Sequence, residues 1–60
     1  MISEMIPYEW MNVESEHWVV EFIMSIETTL ERQRELLLEW AQAAGVEETH
    51  IEEVIARWQP

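Results

Sequence analysis

Residues 19–44, VVEFIMSIETTLERQRELLLEWAQAA, decide the fold, because Val19, Ile23, Ile26, Leu30, Gln33, Leu37, Trp40 and Ala44 recur there at alternating steps of four and three. That spacing draws one apolar seam along a helix. Phe22 and Leu36 widen the seam on one flank, and Val20 and Ala41 widen it on the other. Gln33 alone interrupts it, so Gln33→Leu is expected to stabilise. Asn12 is a favourable N-cap, followed by Glu14 and Glu16, whose charge suits the positive end of a helix dipole. Gly45 supplies the left-handed residue at which helices commonly stop. The spacing therefore predicts one helix over 13–44, about 48 Å long at the α-helical rise.

Trp18 to Ile26 admits another reading. Trp18, Val20, Phe22, Met24 and Ile26 alternate as in a strand, and Thr28-Thr29-Leu30-Glu31 fits a capping box for a helix that begins there instead. Continuous helix is preferred because Val19, Ile23 and Ile26 stay in phase with the later heptads. On the amino side, residues 1–11 have no clear period and contain Pro7, which holds Ile6 extended; with Met1, Ile2, Met5, Tyr8, Trp10 and Met11 they form an apolar arm.

A second, shorter helix is expected over 49–59. Thr49-His50-Ile51-Glu52 fits the capping box, Ile51, Val54, Ile55 and Trp58 form an amphipathic stripe, and Arg57 suits the last turn. The short link at Gly45 to Glu48 makes the pair a helical hairpin, so the fold class is all-α with a single small domain. A helix of about 15 Å cannot cover a seam of about 40 Å or more. The uncovered part, with Val19, Ile23, Ile26, Leu30, Leu37 and Trp40, is then expected to meet a second copy as a homodimer.

Charge limits the partners. The 60 residues carry 13 glutamates against three arginines, with no lysine or aspartate, for a formal net charge of −10, yet 48% of them are apolar. Nucleic acid and anionic membrane repel such a chain, whereas a basic protein surface attracts it over about 8 Å at physiological salt. No apolar segment approaches the roughly 20 residues that span a bilayer, and the default location is cytoplasmic. Cysteine is absent, which excludes disulfides and thiolate metal sites.

Glu27, Glu31, Glu35 and Glu39 repeat at i, i+4, setting four carboxylates in line over about 18 Å, with Glu21 extending the row toward the amino end. The bland alternative is a solvated face of good helix formers, relieved by Glu31–Arg34 and Arg32–Glu35 pairs at i, i+3. The functional alternative is a row that occupies Lys/Arg sites shaped for phosphate. Tyr8, Trp10 and Trp18 are the candidate apolar anchors beside it, since aromatic residues dominate interface hot spots. Trp40 and Trp58 lie on the seams and belong to the core.

Glu14-x-x-His17 and Glu47-x-x-His50 have the spacing by which carboxylate-bridged di-metal bundles present ligands. In a chain this rich in glutamate such neighbours arise by chance, so surface or capping roles are expected, with no metal and no cofactor. There is no cysteine nucleophile and only one glycine, which leaves no Gly-rich phosphate loop, and a helical hairpin has little concavity. The expectation is a non-enzymatic, acidic module or inhibitor that occupies a basic, nucleic-acid-binding type of surface on a partner protein. Its physical type resembles the small acidic helical inhibitors of phages. A structural protein assembled through the heptad seam is the competing class.

Overall fold

In the computed structural model, residues 6–58 fold into three α-helices preceded by two short 3-10 turns, and no strand forms among these described residues. Met1 to Met5 of the arm, residue 59 at the end of the expected second helix, and residue 60 lie outside them.

The expected helix over 13–44 is broken. It begins as a 3-10 turn at Val13–Ser15, continues as α1 over Glu16–Met24, ends, and restarts as α2 over Leu30–Ala44. The stop has local causes. The Ser25 hydroxyl donates to the Glu21 carbonyl at 2.6 Å, and the Ser25 and Ile26 amides tighten onto Phe22 and Ile23 in i, i+3 bonds. Side-chain bonding of this kind competes with the helical ladder and favours its end. Thr29 then adopts extended backbone, and its Oγ1 accepts the Arg32 amide at 3.2 Å as the N-cap of α2. The cap signal in Thr28-Thr29-Leu30-Glu31 thus marks a helix start after all, one residue later than the capping-box reading places it.

Gln33 explains why the two segments stay folded on each other. Its side-chain amide donates to the carbonyl of Met24, the last residue of α1, at 3.2 Å and to the Ile26 carbonyl in the turn beyond it at 3.1 Å. Helix ends leave carbonyls that need partners, and a buried polar group is costly unless paired. This reverses the expectation that Gln33→Leu stabilises. We expect that substitution to lower stability by about 1–3 kcal/mol, because it takes from the Met24 carbonyl its side-chain donor and from the Ile26 carbonyl one of two, the Thr28 amide at 2.9 Å being the other. A urea titration comparing wild type with Gln33→Leu reads the sign directly.

Asn12 caps the first turn as anticipated: its Oδ1 accepts the Ser15 amide at 3.0 Å. Gly45 stands at φ 80 and the Val46 amide reaches the Ala41 carbonyl at 2.8 Å, a left-handed stop in which any Cβ is strained. The third helix, α3, spans Glu48–Arg57, with Glu47 at its N-cap and no side-chain cap bond. Thr49 is therefore inside the helix, and the capping box expected from it does not form.

Val19, Val20 and Ile23 of α1, Leu36, Leu37, Trp40 and Ala41 of α2, Ile51 of α3 and Ile6 of the arm make up the buried core. Val54, Ile55 and Trp58 pack against it, as their stripe implies. Trp10 and Met11 do likewise, and the Trp40 indole N–H donates to the Trp10 carbonyl at 2.7 Å, which ties the arm across the bundle. Of the expected seam, Val19, Ile23, Leu37 and Trp40 are buried within one chain, Ile26 is half-buried, and Leu30 is 59% exposed. The longest dimension of the fold is 24 Å, half the length of the expected helix. The helix-length mismatch that called for a second copy disappears, since α1 and the arm cover what α3 does not reach.

Candidate functional site

The acidic row survives in shortened form. Glu31, Glu35 and Glu39 sit on the face of α2 opposite Gln33, Leu36, Leu37 and Trp40, and all three are exposed. They span about 12 Å. Glu27 lies in the 25–29 turn, off the helix and out of line, and Glu21 is exposed on α1. The row of four in strict register, with Glu21 as its helical continuation, is therefore reduced to three.

Arginine placement sharpens its charge. Arg32 pairs with Glu35 at 3.0 Å, as the i, i+3 spacing suggests. Arg34 does not pair with Glu31. It forks onto Glu52 of α3 instead, Nε to Oε1 and an Nη to Oε2, both at 2.7 Å. That two-pronged bond holds the Glu52 carboxyl below the usual carboxylate range and raises Arg34 in turn. Both side chains stand in solvent, so the pair orients α3 on α2 more than it stabilises the fold. Among the described residues, no cation lies within ion-pair distance of Glu31 or Glu39.

The aromatic candidates separate. Tyr8 is 89% and Trp18 58% exposed, which leaves both available as anchors. Trp10 is half-buried, with its carbonyl held by Trp40 and its ring edge-on to Phe22 at 6.3 Å, so it braces the arm. Sequence reasoning passed over Phe22, which it set on a flank of the seam and which is 40% exposed. Its exposed neighbour at i−4, Trp18, was the available signal, since residues four apart share a helix face.

The two Glu-x-x-His pairs do not act as pairs. His17 lies 3.7 Å from Glu21, one turn on, and His50 Nε2 lies 2.6 Å from Glu16 Oε1, joining the amino ends of α3 and α1. Among the described residues no three His or Glu side chains are gathered so as to hold a metal ion. A shallow hollow at Glu53, Ala56 and Arg57 opens on α3. No described helix is long and apolar enough to cross a membrane.

No protein-family model, curated protein or solved structure matches the chain.

Proposed function

We propose that this chain is a non-enzymatic protein-binding module that occupies a Lys/Arg-rich surface of a partner protein, in the manner of an inhibitor that covers a nucleic-acid site. The observation that carries the reading is the outer face of α2. Glu31, Glu35 and Glu39 project from it at one-turn intervals, and of the cations nearby Arg32 meets only Glu35 while Arg34 is drawn away to α3. A net charge of −10 makes a basic surface the natural counterpart and disfavours nucleic acid itself. No cofactor and no metal enters this reading, and its place of action is the cytoplasm.

Self-assembly through the heptad seam has less support, because Val19, Ile23, Leu37 and Trp40 are already used inside one chain. A homodimer would need a different surface.

The double reversal Glu31→Lys, Glu35→Lys is expected to weaken binding to the partner about tenfold or more while leaving the melting curve nearly unchanged, since exposed pairs contribute about 0–1 kcal/mol. The measurement is affinity for the captured partner at low and high salt, with and without competing nucleic acid. Salt-insensitive binding that ignores the double reversal excludes the acidic-face mechanism.

A further inference from the structure

The amino half of the molecule carries a second exposed feature that the acidic row does not use. On α1, Val19, Val20 and Ile23 turn inward, while Trp18 and Phe22, one turn apart, stand together on the outer side at 58% and 40% exposure. Trp10 braces Phe22 edge-on, and Trp10 is itself held by the Trp40 indole, so the Phe22 side of the ridge is fixed before anything binds, while the Trp18 ring lies edge-to-face with His17 at 5.7 Å. Tyr8, 89% exposed, belongs to the same 3-10 turn as Trp10. A fixed aromatic surface loses little freedom on binding, which is how anchors of an interface act.

We infer that the Trp18–Phe22 ridge is a docking surface for an apolar cleft bordered by Lys or Arg on the partner protein. This rests on the proposed role as an acidic binding module and adds where apolar contact is made. Charge decides the occupant. The ridge is flanked by exposed Glu14 and Glu21, and there is no arginine or lysine between Ile6 and Glu31. A symmetric second copy would set these carboxylates against their own counterparts, where like charge opposes contact. Anionic lipid is repelled for the same reason. A basic rim meets both glutamates while its cleft covers the rings.

Two synthetic amphipathic helical peptides with the same lysine stripe, one backed by leucine and the other by glutamine, test this by fluorescence anisotropy at low salt. The wild-type protein is expected to bind the Lys/Leu peptide about tenfold or more tighter than the Lys/Gln peptide. Trp18→Ser with Phe22→Ser should abolish that ratio and leave Lys/Gln binding unchanged. Glu31→Lys with Glu35→Lys should weaken both peptides and preserve the ratio. If that reversal changes neither peptide while the ratio still depends on the aromatic pair, the acidic row fails and the ridge stands. A ratio that survives the aromatic substitutions, or is absent from wild type, overturns the ridge. Should circular dichroism show the double serine variant unfolded, Trp18→Gln alone gives the same reading, as its ring lies mostly in solvent. Two further results would also overturn the proposal. One is light scattering that gives a dimer abolished by Trp18→Gln, which assigns the ridge to a second copy. The other is Trp18-dependent binding to phosphatidylcholine vesicles, which assigns it to lipid.

Discussion

Leu37→Glu is expected to unfold the protein, whereas Leu30→Glu should leave it folded. The two leucines are equivalent in the heptad pattern, one repeat apart, yet Leu37 is fully buried and Leu30 is 59% exposed at the first residue of α2. A carboxylate at position 37 is buried in the apolar core, at a cost of several kcal/mol even after it takes up a proton. A chain of this length has about 3–9 kcal/mol of stability in all. At position 30 the same carboxylate is solvated and lies in the first turn, where the helix dipole favours it, so the change should stay within about 0.5 kcal/mol. Urea unfolding followed by circular dichroism separates the cases. Equal loss from both would restore a continuous seam buried against another chain.

Trp40→Ala should cost about 3–5 kcal/mol, most of the stability available, because it empties the largest fully buried position of the core. Trp40→Phe isolates a second contribution. It keeps much of the volume but removes the indole N–H that the Trp10 carbonyl accepts, and about 1–3 kcal/mol should go with it. Thermal melts of the two variants give both values. If Trp40→Phe were neutral, the bond to the arm would have no role in stability.

Local signals were the legible part of this fold. Asn12 and Gly45 act through their own backbone neighbours, and the Ile51, Val54, Ile55 and Trp58 stripe needs only helical spacing, so each could be read from a few residues. The break at 25–29 was less legible for a physical reason. α1 and α2 face one core, so Val19 and Ile23 remain in phase with Leu37 and Trp40 whether the two segments are stacked end to end or folded against each other. Periodicity does not distinguish these arrangements. Ser25 and the threonines at 28 and 29 carried the discriminating chemistry, and the polar Gln33 among apolar positions was the mark of a tertiary hydrogen bond. Within the candidate site, the exposure of Glu31, Glu35 and Glu39 followed from spacing. The capture of Arg34 by Glu52 did not, because the acceptor arrives from another helix 18 residues on. Exposure of Phe22 had one legible sign, its place a helical turn from the candidate anchor Trp18, while its extent depends on where the arm and α2 lie around α1.

The Gln33 amide, placed in the first half of α2 and bonded to the last carbonyl of α1 and to one in the turn that follows, also bears on cooperativity. Opening α2 breaks the bonds that satisfy the end of α1, and fraying of that end removes the partners of a buried side chain in α2. Neither helix then has an inexpensive way to open alone. The turn at 25–29, though it lacks regular structure, becomes a joint that transmits loss of order from one helix to the next. Slow hydrogen exchange at the core amides of both helices would accordingly report a single opening event, the unfolding of the whole domain.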